Sequence, residues 1–147
     1  MTAELEALGV VRKVEHIGIA VESIDGADMH YRALLGVERY KVEEVSGEGV
    51  RTAFYQVGET KIELLEALHE SSAIAKFIAK RGPGIHHIAF DVADIRQSMQ
   101  TLKAHGFVLT AESPVQGADN KLVCFVHPKS TGGTLIELCQ DIQTPST

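Results

Sequence analysis

Hydrophobic and polar residues alternate along several short segments of the first half of the chain. Lys13–Val21 (KVEHIGIAV) alternates and is rich in β-branched residues, which predicts a β-strand. Ile24–Leu35 then carries apolar residues at helical spacing, and Gly36 follows as a helix-ending residue. Three more segments have the composition of strands, namely Glu38–Val45, Val50–Val57 and Thr60–Glu66. The first half therefore predicts the element order βαβββ.

The second half of the chain predicts the same order. A strand is expected at Ile85–Val92 and a helix at Ile95–His105, and strands are expected at Phe107–Ala111, Leu122–His127 and Thr134–Cys139. Between the halves, Ser71–Arg81 predicts a linker helix that ends at a Gly-Pro-Gly sequence. The fold class expected is α+β, with tandem βαβββ modules at about residues 12–67 and 84–140 and the linker helix at about 71–81 between them. All of it would form one domain of residues 1–147.

An internal repeat supports this division. An offset of 71 residues aligns His16 with His87, and an offset of 74 residues aligns Glu63 with Glu137. Polar residues that match in type and order at a near-constant offset are less easily explained by chance than matched apolar positions. The sequence therefore predicts two copies of one structural unit.

Composition narrows the classes of function. The 147 residues carry a formal net charge of −6, which disfavours nucleic acid and anionic membranes as partners. No apolar run approaches the roughly 18 residues that a membrane span needs, and the acidic start lacks the apolar region of a secretory signal. We therefore expect a cytoplasmic protein whose two cysteines are buried, reduced thiols.

The repeated polar positions carry the candidate chemistry. Taken alone, a histidine within a strand is commonly a core residue, and a glutamate on a half-exposed strand can face water. If a rotation relates the two units, however, His16, Glu63, His87 and Glu137 converge. Imidazole nitrogens with carboxylate oxygens suit Co²⁺, Mn²⁺, Ni²⁺, Fe²⁺ or Zn²⁺. His86 should face away, because neighbours in a strand point to opposite sides of the sheet.

Four segments resemble the vicinal oxygen chelate superfamily, and within it most closely the methylmalonyl-CoA epimerases. They are Val14–Val21 (VEHIGIAV), Gly58–Leu65 (GETKIELL), Ser72–Val92 (SAIAKFIAKRGPGIHHIAFDV) and Phe125–Leu138 (FVHPKSTGGTLIEL). The resemblance implies a cupped mixed sheet around a metal, a homodimer, and interconversion of (2R)- and (2S)-methylmalonyl-CoA. It also implies a divalent metal bound by His16, Glu63, His87 and Glu137. We expect Co²⁺, with Mn²⁺, Ni²⁺ and Zn²⁺ as alternatives.

The two acid/base groups of such an epimerase are less well defined. A position at which some epimerases carry a glutamate is occupied here by Thr52, which is not a base. Glu137, Glu48 and a water held by the metal are the candidates that remain, and Lys129 is a candidate contact to a CoA phosphate or the substrate carboxylate. Two other functions stay open: a glyoxalase-type isomerase acting on a glutathione hemithioacetal, and a non-catalytic binding module.

Overall fold

The computed structural model describes residues 11–142, and within them the chain forms eight strands and three helices. The elements are β1 (Val11–Ala20), α1 (Ile24–Leu35), β2 (Lys41–Val45), β3 (Val50–Val57), β4 (Thr60–Ala67), α2 (Ala73–Arg81), β5 (Gly84–Val92), α3 (Ile95–Ala104), β6 (Val115–Gln116), β7 (Lys121–Val126) and β8 (Ile136–Asp141). Short 3₁₀ turns lie at Ala118–Asn120 and Pro128–Ser130. The predicted α+β class and the two βαβββ modules are confirmed. No helix in the described part of the chain is long and apolar enough to cross a membrane.

One compact unit comprises Glu15–His87. Its strands follow the order β2-β3-β4-β1, with β3 antiparallel to both neighbours and β4 parallel to β1. Helix α1 covers one face through a cluster that includes Ile24, Tyr55 and Leu64. The other face carries a smaller apolar cluster that includes Leu65 of β4 and Ile74 of α2. Both faces are therefore covered in part by apolar contacts.

The other unit comprises residues 11–14 and 88–142 of the described chain. Its strands follow the order β5-β8-β7-β6, with β5 parallel to β8 and β7 antiparallel to both neighbours. Helix α3 contributes Ile95 and Met99 to its apolar core. Cys124 and Cys139 are buried thiols, as predicted, and burial raises the pKa of the Cys124 thiol.

The starts of α1 and α3 show that the two modules are copies. The backbone N–H of Ile24 donates to Oε1 of Glu66 at 2.7 Å, and the N–H of Ile95 donates to Oε1 of Gln140 at 2.7 Å. In both modules the first helical amide is thus bound by a side chain from the last strand. The residues are related by the same offsets of 71 and 74 that relate the candidate histidines and glutamates.

The predicted strand at Phe107–Ala111 is wrong. This segment forms only an isolated bridge, between Leu109 and Val126, because one of its amides donates to the Ser130 hydroxyl at 2.9 Å instead of continuing a ladder. Val115–Gln116 takes the edge position beside β7. The alternation of residue types predicts a strand from local sequence, and it does not show that the N–H of Val108 is bound by the distant Ser130 side chain.

Candidate metal centre

Strand register places the first candidate histidine and glutamate on one face of the sheet. In the parallel pair of β1 and β4, His16 lies opposite Lys61 and Gly18 lies opposite Glu63. Residues two apart in a strand share a face, and partners in register share it too. His16, Gly18, Lys61 and Glu63 therefore lie on the same side of these strands.

The two candidate histidines meet directly. Nε2 of His16 lies 3.0 Å from Nε2 of His87, and the rings stand at 85° with their centroids 5.1 Å apart. Both residues are 5% exposed. Two ligands about 2.1 Å from one ion, at right angles to each other, lie about 3.0 Å apart. The pair therefore has the spacing of adjacent ligands in an octahedral site.

Glycine at position 18 makes room for one of these rings. A Cβ atom at Gly18 would lie 2.3 Å from Cε1 of His87 and 2.7 Å from its Nδ1. No side chain fits at such distances, so the imidazole ring occupies the space that any other residue would fill. The sequence analysis missed this role, although a glycine in the middle of a strand is a recognisable signal of close approach.

Glu63 contacts His16 through the other nitrogen of its ring. Oε2 of Glu63 lies 3.0 Å from Nδ1 of His16, and Oε1 of Glu15 lies 3.2 Å from the same nitrogen. A carboxylate at Nδ1 keeps the ring proton there and leaves the Nε2 lone pair for a metal. The structure thus brings His16, His87 and Glu63 together, and it places Glu63 against the outer side of the His16 ring.

A buried ion pair next to His16 was not predicted. Nζ of Lys61 lies 3.0 Å from Oε1 of Glu15, and these residues are 9% and 2% exposed. A buried charge is stable only with a partner, so Lys61 offsets the charge of Glu15 beside the candidate ligand. Both residues lie in strands that mix polar and apolar residues, so alternation alone assigned neither of them to the interior.

Glu137 occupies the corresponding position in the second module. It lies on β8 opposite Phe125, as Glu63 lies on β4 opposite Phe54. Glu137 is 6% exposed. Glu63 and Glu137 are therefore buried at equivalent strand positions, and the role of both as ligands stays a prediction.

The remaining predicted residues lie at the surface. Glu48 is exposed in the turn that joins β2 to β3, and Lys129 is exposed in a 3₁₀ turn where its N–H donates to Nδ1 of His127 at 3.1 Å. Their proposed contacts to substrate stay predictions. For each of them the sequence position predicted a loop, and the structure has one there.

A carboxylate that the sequence analysis missed lies next to Thr52. Thr52 is buried on β3, and its partners in register are Glu43 on β2 and Leu65 on β4. Leu65 is two residues from Glu63, so Glu43 lies on the same face as the candidate ligand. Nζ of Lys41 lies 3.2 Å from Oε1 of the half-buried Glu43. The register of β2, which a single sequence does not reveal, brought Glu43 to this place.

Comparison with known proteins identifies the family to which this fold belongs. The model of the glyoxalase/bleomycin resistance protein/dioxygenase superfamily matches residues 15–125. The chain belongs to this superfamily, and the predicted fold is confirmed.

The relatives of this chain include epimerases of acyl-CoA thioesters. The ethylmalonyl-CoA/methylmalonyl-CoA epimerase of Cereibacter sphaeroides is 40% identical over 133 residues, which cover 89% of this chain and 99% of that protein. The crystal structure of methylmalonyl-CoA epimerase from Mycobacterium tuberculosis is 37% identical, with a TM-score of 0.88 over 92% of this chain and 91% of that chain. A methylmalonyl-CoA epimerase in complex with methylmalonyl-CoA and NH4+ is 32% identical, with a TM-score of 0.86 over 94% of this chain and 100% of that chain. The predicted resemblance to methylmalonyl-CoA epimerases is confirmed.

Proposed function

We propose that this protein is a metal-dependent epimerase that interconverts (2R)- and (2S)-methylmalonyl-CoA. The observation that carries the proposal is the buried pair of imidazole nitrogens, 3.0 Å apart. It occurs in a chain whose relatives include epimerases of this thioester and of its ethyl homologue. The reaction removes the proton on C2, which lies between a thioester carbonyl and a carboxylate, and returns a proton to the opposite face.

The ligands proposed for the metal are His16, Glu63, His87 and Glu137. A bound divalent ion would supply Lewis-acid stabilisation of the negative charge that develops on the thioester oxygen. His16 and His87 fit this role because their nitrogens already have the spacing of adjacent ligands. Glu137 and Glu63 would add the carboxylate oxygens that suit a first-row ion, and Glu63 would have to turn away from Nδ1 of His16 to do so. We propose Co²⁺, with Mn²⁺, Ni²⁺ and Zn²⁺ as alternatives.

Carboxylates are the proposed acid/base groups. Glu137 would serve one face of the substrate through its second oxygen, and Glu48 is the sequence-based candidate for the other face. The position of Glu43 supports it as a competitor for this second role, because it lies in register with Thr52 on the face of the sheet that carries Glu63. General acid/base catalysis typically contributes about 10²–10⁴-fold, so removal of the correct carboxylate has a measurable effect.

Further proposals concern the contact of Lys129 with the substrate, the number of subunits and the location of the protein in the cell. The Lys129 ammonium would bind a CoA phosphate or the substrate carboxylate, and its exposure leaves it accessible. A cytoplasmic homodimer is proposed. Large apolar side chains that are exposed in the unit Glu15–His87 support a subunit contact, among them Met29, Leu34 and Tyr40. Light scattering of the purified protein measures the subunit number, and fractionation of the source cells measures the location.

Isotope exchange tests the proposed reaction. The protein loaded with Co²⁺ is incubated with (2R)- or (2S)-methylmalonyl-CoA in deuterated water, and deuterium at C2 is measured by mass spectrometry. We expect exchange and formation of the other epimer, and loss of both in His16→Ala. Absence of exchange, together with lactoylglutathione formation from methylglyoxal and glutathione, would replace the proposal with a glyoxalase-type activity. Absence of both reactions in a protein that binds the thioester would indicate a binding module.

Exchange also separates the acid/base candidates. Glu137→Gln, Glu48→Gln and Glu43→Gln remove one carboxylate each with little change in volume. Glu44→Gln is the matched control for Glu43, because Glu44 is the exposed neighbour on the opposite face of β2. The acid/base group of one face is identified by a variant that loses exchange from one epimer more than from the other.

A further inference from the structure

His86 contacts His87, although alternation along the strand predicts that the two side chains diverge. Nδ1 of His86 lies 2.9 Å from Nδ1 of His87, which is a hydrogen-bond distance. The two rings stand at 88° with their centroids 5.1 Å apart. The half-buried His86 therefore touches the nitrogen of His87 that does not face His16.

Metal binding at Nε2 would fix both the tautomer of His87 and the direction of this hydrogen bond. A neutral imidazole carries its proton on one nitrogen only, and a nitrogen that binds a metal must be unprotonated. If Nε2 of His87 binds the metal, its proton lies on Nδ1. That N–H then donates to Nδ1 of His86, so His86 must be an acceptor at this atom and carry its own proton on Nε2.

The surroundings of the two rings keep this geometry. The ring of Phe77 in α2 packs edge-on against His86, with centroids 5.0 Å apart and planes at 82°. On the other side, His87 fills the space left by the missing side chain of Gly18. The pair is thus held between the linker helix and β1, within the unit Glu15–His87.

The two candidate histidine ligands differ in their partners. His16 has carboxylates at its Nδ1, from Glu63 and Glu15, whereas His87 has the ring of His86. A partner of either kind orients the ligand ring, and changing such a partner typically costs about 10–100-fold in metal affinity. We propose that His86 is a positioning residue, which accepts the Nδ1 proton of His87 and thereby presents Nε2 to the metal. This inference rests on the metal site of the proposed function.

Two substitutions of His86 separate the hydrogen bond from the packing. His86→Leu keeps an apolar contact for Phe77 but removes the acceptor. His86→Asn places an amide oxygen close to the position of Nδ1 and so restores an acceptor. His30→Leu is the control for the loss of a histidine, because His30 is exposed on α1.

The first measurement is the dissociation constant for Co²⁺, determined in competition with a chelator. We expect His86→Leu to weaken binding about 10–100-fold, His86→Asn to recover most of that loss, and His30→Leu to bind as the unchanged protein does. Binding by His86→Leu within twofold of the unchanged protein would overturn the inference. Equal losses in the leucine and asparagine variants would also overturn it, since packing and not the hydrogen bond would then be responsible.

The second measurement probes the hydrogen bond itself. With the diamagnetic ion Zn²⁺ bound at Nε2, the proton of His87 lies on Nδ1, and NMR of ¹⁵N-histidine-labelled protein reports how fast that proton exchanges with water. We expect slow exchange in the unchanged protein and in His86→Asn, and faster exchange in His86→Leu. The same exchange rate in all three proteins would refute the role of His86. Failure of the unchanged protein to bind Co²⁺ or Zn²⁺ would instead refute the proposed metal site.

Discussion

Replacing Gly18 by alanine should displace a candidate metal ligand without straining the backbone. The added Cβ would lie 2.3 Å from Cε1 of His87, whereas carbon atoms in contact are about 3.5 Å apart, so the ring must move by about 1.2 Å. Gly18 lies within β1 and does not have a positive φ, so alanine suits its backbone. Crowding of this kind typically costs about 1–3 kcal/mol of folding free energy.

The effect on metal binding should be larger than the effect on folding. A shift of this size moves Nε2 of His87 out of the 3.0 Å arrangement with Nε2 of His16. Changing a partner of a ligand typically costs about 10–100-fold in affinity, and displacing the ligand itself should cost at least as much. We expect Gly18→Ala to bind Co²⁺ at least tenfold more weakly and to lose deuterium exchange in proportion.

Gly26→Ala is the matched control. Its Cβ would lie 3.7 Å from the nearest atom, in helix α1, where alanine is favoured over glycine by about 1 kcal/mol. Metal affinity should not change in this variant, and its thermal midpoint should not fall. If Gly18→Ala binds Co²⁺ as tightly as the control and exchanges deuterium at the same rate, the placement of the His87 ring against Gly18 is incorrect.

Three further perturbations have directions that follow from the structure. Lys61→Met leaves the buried Glu15 without the Lys61 cation and should lower the free energy of unfolding in urea by about 3–5 kcal/mol. Adding Glu15→Gln should restore most of that loss. Unchanged stability of Lys61→Met would contradict the pairing. Tyr55→Phe removes a hydrogen bond to Asp28 and should cost about 1–2 kcal/mol at neutral pH. Burial, and after it the hydrogen bond to Asp28, raise the pKa of Tyr55. The stability that protonated Tyr55 contributes is therefore complete below about pH 10 and is lost as the pH rises further. The thermal midpoint of the unchanged protein should fall more steeply above pH 10 than that of Tyr55→Phe. Dialysis against a chelator should abolish exchange and lower the thermal midpoint, and Co²⁺ at 100 times its dissociation constant should restore about 2.7 kcal/mol; a midpoint that does not respond to metal would argue against a bound ion.

The amino-acid sequence alone determined the repeated architecture and the candidate ligands. Alternation and helical spacing are local properties, and they predicted α1 at both of its ends. The near-constant offset between His16 and His87, and between Glu63 and Glu137, identified equivalent positions. A duplicated fold repeats both its apolar pattern and the polar residues that interrupt it.

Only the tertiary structure decided which atoms meet. Alternation assigned His86 to the far side of β5, yet its ring bonds to His87, because the direction of a long side chain depends on its rotamer and its neighbours. Strand register placed Glu43 opposite Thr52, and side-chain packing placed the ring of His87 against Gly18. Register and packing arise from contacts between residues far apart in the chain, and a single sequence pattern does not contain that information.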